Sequence, residues 1–172
     1  MGFLLLLPFF LLRFGLLSRL DRSALQRAAR FAPMVGKERA AYWVYQLSTG
    51  AVILYPLCLG IQPAPVWLLV LALAVYGAGL ALLTAACLHF ARTDSTGLCR
   101  TGVYRWSRNP IYVAYFLIFL GCALATQSWA LLGMVAVFQV SAHWIILAEE
   151  RARLAQFGPD YAQYMAQVQR YL

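Results

Sequence analysis

Long uncharged apolar stretches, separated by short basic segments, set the pattern of the chain. Ala41 to Ile61, Val66 to Phe90, Ile111 to Thr126 and Ser128 to Ala148 contain no Lys, Arg, Asp or Glu. A helix needs about 20 largely apolar residues to cross a hydrocarbon core of ~30 Å, so each run predicts a membrane span. Only Gln127 separates the short third run from the fourth, and Trp129 suits a membrane interface, so these two predict a tight hairpin. Phe3 to Leu20 is a fifth candidate, interrupted by Arg13, which is tolerable where the side chain snorkels or faces protein. It lacks the basic lead and small-residue cleavage site of a signal peptide. The pattern predicts an all-α, polytopic membrane protein of about five transmembrane helices, with a C-terminal helical hairpin and a cytoplasmic amphipathic tail helix.

Composition narrows the reading. Of 172 residues, 63% are hydrophobic and 12% charged, whereas a soluble domain carries roughly 25% charged residues. Too few charges are present to clothe a water-facing surface, and the apolar excess excludes a disordered chain. The net charge of +8 is unevenly placed. Arg19, Arg22, Arg27, Arg30, Lys37 and Arg39 follow the first span. Arg92, Arg100, Arg105 and Arg108 follow the third, and Arg151, Arg153 and Arg170 lie in the tail. The connections at Gln62 to Pro65 and at Gln127 have none, so every basic residue except Arg13 falls on one side. Retention of positive charge in the cytoplasm then places the N-terminus outside and the C-terminus inside, as in a bacterial inner membrane. The charge reads as topology rather than as a nucleic-acid footprint, with anionic membrane lipids as its partners. Leu20 to Arg30 could lie along the surface as an amphipathic helix.

Polar residues at membrane depth carry candidate chemistry. On the last span Gln139, His143 and Glu150 fall within about 40° of one another at 100° per residue, while Glu149 points about 80° to the other side. Glu150 is therefore the acid expected on the polar face. The structural alternative is a packing hydrogen bond for His143 and pairing of the acids with Arg153. His89 reads as interfacial. Gly77, Ala81 and Ala85 form a small-residue stripe suited to helix packing. Cys58, Cys87, Cys99 and Cys122 lack metal or redox spacing, so no metal is expected. Between the third and fourth spans, Gly102 suits a turn, and Asn109 and Pro110 suit the cap and first position of a helix. That helix start, with Arg105 and Arg108 nearby, suits an anionic group; the plainer reading is a loop touching lipid headgroups.

The tail reads Glu149-Glu150-Arg151, then Leu154, Phe157-Gly158, Tyr161, Tyr164, Val168 and Arg170-Tyr171-Leu172. Gly158-Pro159 ends one helix and starts another, with Tyr161, Tyr164, Val168 and Leu172 as one apolar stripe. Together with Gly102-x-Tyr104-Arg105-x-x-Arg108-Asn109-Pro110-x-Tyr112, it resembles the integral-membrane methyltransferases that include isoprenylcysteine carboxyl methyltransferase and the phospholipid (phosphatidylethanolamine) N-methyltransferases. The resemblance covers residues 98–172, implying a cofactor-binding unit there and a transmembrane scaffold over residues 1–97.

The resemblance implies S-adenosylmethionine in a cytoplasm-facing pocket and a lipophilic substrate entering from the bilayer. By position, Arg108, Asn109, Pro110 and Tyr112 would line the cofactor's amino-acid end, and Glu150, with Glu149 beside it, would be the associated acid. Tyr104, Arg105 and His143 complete the expected binding set; Glu150 and Arg108 are the expected catalytic residues. Asn109 stands where the family often has His, and Ala114 where a Gly frequently follows the Tyr. The acceptor would be an isoprenylcysteine-type carboxylate, needing no base, or a phospholipid amine, for which Glu150 or water would take the proton. Two other classes share these features: NADPH-dependent membrane sterol or steroid reductases, and a non-catalytic membrane partner with a degenerate pocket.

Overall fold

Apolar runs long enough to span fold as helices because, away from water, backbone polar groups must be satisfied within the segment itself. The computed structural model describes residues 2–20, 32–34, 36, 38–91 and 98–171. Residues 2–20 form one helical run, α1, with a 3-10 start at Gly2–Leu5 and a π-helical turn at Leu11–Leu16. The surface helix expected from Leu20 to Arg30 falls on residues 21–30, outside the described residues.

Helix α2 is Glu38–Leu54, and a 3-10 turn at Tyr55–Cys58 ends it short of the expected Ile61. Pro56 lacks an N–H and restricts the residue before it, so the helix tightens there, and Leu59 is extended. Helix α3 is Val66–Ala91 and α4 is Pro110–Thr126. Gln127 then turns through the left-handed region at φ 50°, and Ser128 accepts a hydrogen bond from the Leu131 N–H at 3.2 Å. This forms the expected hairpin into α5, Trp129–Phe157; after Gly158 comes α6, Pro159–Gln167. Among the described residues there is no strand.

Two helices, α3 and α5, are long and apolar enough to cross a membrane; Gly2–Leu16 and α4 are shorter apolar helices. With 29 residues, α5 is ~44 Å long, more than the ~30 Å of hydrocarbon. Its uncharged run stops at Ala148, so the charged turns from Glu149 onward lie beyond the span.

The tightest seam joins α3 to α4. A Cβ on Gly121 would stand 2.6 Å from Tyr76 Cβ, and one on Gly79 2.8 Å from the Ile118 nitrogen, so the backbones meet. Of the stripe expected to pack, Gly77 and Ala81 are exposed and Ala85 is half-buried, and a Cβ on Gly77 would meet nothing within 4 Å. Ala72, Tyr76, Gly79, Leu83 and Ala86 are buried in its place. That face also has small residues but carries the larger Tyr and Leu, so it gives more contact area.

Helix α1 runs antiparallel to α4: Gly2 sits beside Thr126, and the Phe9 ring packs on Tyr115 and Phe119 at 5.3 and 5.4 Å. On the other side α2 pairs with α5 through Tyr45 and Phe138, 5.2 Å apart, and through Arg151 gripping both Glu38 oxygens at 2.7 Å. Trp43, Leu47, Trp67, Val70 and Val140 are exposed on the outside, an apolar girdle of the kind that faces lipid.

Candidate active site

The loop leading to α4 begins on a glycine that nothing larger could replace. Gly102 has φ +59°, and a Cβ there would lie 2.0 Å from the Nε2 of His89. His89, near the end of α3, has its Nδ1 2.7 Å from the Ala85 carbonyl, so a seated imidazole forms the floor under the turn. The 3-10 turn Gly102–Arg105 follows. Its Tyr104 is buried, which pushes the phenol well above its usual range, and its carbonyl accepts the Tyr164 hydroxyl at 2.6 Å. Leu98, Tyr161 and Tyr164 cluster beneath, and this docks α6 against the loop. The tail stripe is shorter than expected: α6 stops at Gln167, Val168 is extended, and Leu172 lies outside the described residues.

Glu150 is 3% exposed, and three donors converge on it. Asn109 Nδ2 donates to Oε1 at 3.1 Å, Arg170 Nε donates to Oε2 at 3.0 Å, and Arg108 Nε lies 3.3 Å from Oε1 as an ion pair without hydrogen-bond alignment. The second acid, Glu149, accepts the Tyr112 hydroxyl at 2.8 Å and Arg153 Nη2 at 3.2 Å. Arg153 Nη1 also donates to Asn109 Oδ1 at 3.3 Å, so Asn109 links the two acids. Burial holds the Glu149 carboxyl above the usual carboxylate range, against the opposing pull of Arg153, the Tyr112 hydrogen bond and Arg13. The expected cap role of Asn109 is not used. It occupies the N-cap position, but its side chain makes no cap hydrogen bond because the buried acid and Arg153 engage both ends of the amide.

The tail returns across this cluster. The Arg108 N–H donates to the Gln169 carbonyl at 2.9 Å, and Arg108 Nη1 to Met165 O at 3.3 Å. The Arg170 carbonyl accepts from Asn109 Nδ2 at 3.3 Å and from Ser107 Oγ at 3.4 Å. The Tyr171 hydroxyl lies 2.6 Å from His143 Nδ1. The polar face expected on the last span is thus present: His143 and Glu150 both meet residues of the tail, while Glu149 turns toward Tyr112. Gln139 on that face keeps a buried Oε1 with no hydrogen bond among the described residues.

Pro110 is buried at the start of α4, whereas Arg105 is exposed. A cleft of about 550 Å³ opens beside the cluster, lined by Arg108, Met165, Val168, Arg170 and Tyr171. A second groove of about 390 Å³, lined by Ala41, Val44, Val137, Val140 and Trp144, runs between α2 and α5.

Sequence reasoning missed Arg170 and Ser107 as partners of the site. Arg170 did stand in the patterned tail, but nothing local marks a residue whose partner is 20 positions earlier on another element.

The sequence model of one family, described as phospholipid methyltransferase, matches residues 68–159, just over half of the chain. The match contains α3 from its third residue, the Arg108–Asn109 loop, α4 and both acids. No curated protein and no solved structure matches the chain.

Proposed function

The chain belongs to the phospholipid methyltransferase family, and from that premise we propose that it is an S-adenosylmethionine-dependent methyltransferase acting on a lipophilic or amphiphilic acceptor. The observation that carries this reading is the acid pair held by Asn109 to the Arg108 loop beside an open cleft.

Such a cofactor would sit in the cleft that Arg108 lines, with buried Asn109, Pro110 and Glu150 beside it. The cleft falls within the ~300–1,000 Å³ of small-molecule sites. The Arg108 guanidinium, whose Nε lies 3.3 Å from Glu150, is a group suited to a carboxylate. The two acids, paired with Arg108, Arg170 and Arg153, are the carboxylates that a cationic ligand there would share with those arginines. Arg108, Asn109, Pro110 and Tyr112 would hold the amino-acid end, with Tyr104 and His143 as supports and Glu149 and Glu150 as counter-charges. When bound, the cofactor supplies an electrophilic methyl group on a sulfonium.

The chain itself has to align the acceptor and exclude water, which transfer by direct displacement chiefly requires. Buried Tyr104, Pro110 and Tyr161 keep water from one side. A carboxylate acceptor needs no base. An amine acceptor must shed a proton, and Glu149 suits that task, since burial raises its proton affinity.

Five spans, with the N-terminus outside and this site facing the cytoplasm of a bacterial inner membrane, complete the reading. The antiparallel pairs α1 with α4 and α2 with α5 support it, as does the gathering of Arg108, Arg151, Arg153 and Arg170 at one end.

The test is methyl transfer from labelled S-adenosylmethionine into a lipid extract by the full-length protein in nanodiscs, with calorimetry of cofactor binding. Labelled lipid and saturable binding are expected, and Glu150→Gln should weaken binding at least about tenfold, as loss of a charged hydrogen bond does. Binding unchanged in that variant would remove Glu150 from the site, and tight NADPH binding without methyl transfer would replace the reading with a reductase.

A further inference from the structure

The groove between α2 and α5 has no part in the methyl-transfer reading. Seen down α5 from Trp144, Glu149 and Glu150 are turned about 140° and 120° away at 100° per residue, so a ligand in this groove meets neither acid. The two helices are tied at two levels, Tyr45 on Phe138 at 5.2 Å and Glu38 on Arg151 at 2.7 Å. Between the ties the walls are Ala41 and Val44 on α2 and Val140, Ser141 and Trp144 on α5, and the small side chains among them leave the seam open. Ser141 adds no free donor, because its hydroxyl is spent on the Val137 and Phe138 carbonyls, both at 2.9 Å.

Shape selects the occupant. From Ala136 to Trp144 the groove follows α5 for about 12 Å, and a volume of about 390 Å³ over that length makes it roughly 6 Å across, too narrow for the helix of a second copy, which is 10–12 Å in diameter. A single hydrocarbon chain fits. The lining falls within the uncharged runs of both helices, at hydrocarbon depth, where an unfilled slot would forfeit dispersion contacts along both walls.

The end nearer the acids identifies what carries the chain. Arg151 lies within about 20° of Val140 and Trp144 around α5, so the groove, the exposed Trp144 and the exposed Arg151 form one line. Arg151 stands about 4–5 Å beyond Ala148, inside a headgroup layer about 5–7 Å thick. It gives two N–H groups to Glu38, and a guanidinium carries five, which leaves donors for an anion. A guanidinium at headgroup level, an indole at the interface and an apolar slot beneath match in order the phosphate, glycerol and acyl chain of a phospholipid.

We propose that this groove is a phospholipid site, in which Arg151 binds the phosphodiester and one acyl chain lies between α2 and α5. The lipid is a structural ligand and not the methyl acceptor. It closes the seam that the protein leaves open, and so strengthens the hold of α2 on the helix that carries the acids.

The test titrates the delipidated full-length chain in maltoside detergent with phosphatidylglycerol brominated in its chains, a lipid that has no amine to methylate, and reads the quenching of tryptophan fluorescence. Quenching should saturate, and Trp144→Phe should remove the saturable part. Diacylglycerol with the same brominated chains should bind about tenfold or more weakly for want of a charged hydrogen bond, and so should phosphatidylglycerol to Arg151→Gln. Glu38→Gln breaks the same tie between the helices but keeps the guanidinium; it should bind at least as tightly as wild type, which separates loss of the phosphate contact from loss of the tie. Ala136→Phe, which fills the slot and spares the ion pair, should abolish the saturable quenching. Quenching that rises with lipid without saturating, or equal affinity for diacylglycerol or in Arg151→Gln, overturns the site, as does a stable dimer that Ala136→Phe disperses.

Discussion

Asn109 gives its Nδ2 to Glu150 and its Oδ1 to Arg153. An amide can do both because it carries a donor and an acceptor on one plane, and it links the two acids without itself exchanging a proton. Gly102 is as constrained as Asn109 is adaptable. Its positive φ and the His89 ring at 2.0 Å from a would-be Cβ leave no room for a side chain. Gly102→Ala should therefore lower stability by about 1–3 kcal/mol from backbone strain, with further loss from the contact, and this would be read as a drop in thermal unfolding temperature. The double variant Gly102→Ala with His89→Ala should regain the contact part but not the strain, so equal midpoints in the single and double variants would refute the packing argument.

Among the elements, the returning tail contributes most to the site for its size. Residues 169–171 reach Arg108, Asn109, Ser107, Glu150 and His143. Tyr171→Phe should cost about 0.5–1.5 kcal/mol, the net worth of one hydrogen bond. Removing residues 168–172 should cost more, because Arg170 leaves a buried carboxylate short of a donor. Calorimetry should show weaker cofactor binding after the deletion; unchanged affinity and midpoint would mean that the tail merely rests there. This element also marks what was legible in the sequence. The apolar runs announced the helices, since lipid imposes a length and excludes charge, and the 100° spacing placed His143 and Glu150 on one face. The return of the tail left no such trace: its partners lie 20 to 63 residues away and are joined largely through backbone carbonyls, which any residue supplies. The packing face of α3 was misread because small residues occur on both sides of that helix, and only contact with α4 selects Gly79 over Gly77.

For the whole molecule, the chemical and topological ends are opposite. Cys58 is exposed, whereas Cys87, Cys99 and Cys122 are buried, and Cys58 lies beside the turn that receives the start of α1, away from the acids. A membrane-impermeant maleimide applied to intact cells should label wild type and not Cys58→Ser. Labelling only after the cells are opened would invert the proposed orientation.

The glycine seam between α3 and α4 has a mechanical consequence. Two helices whose backbones touch cannot part without losing contact along their length, so the seam holds the start of α4, and with it Arg108 and Asn109, fixed relative to α3. Any motion that admits a ligand to that end would then fall to the elements packed over it, first among them the returning tail.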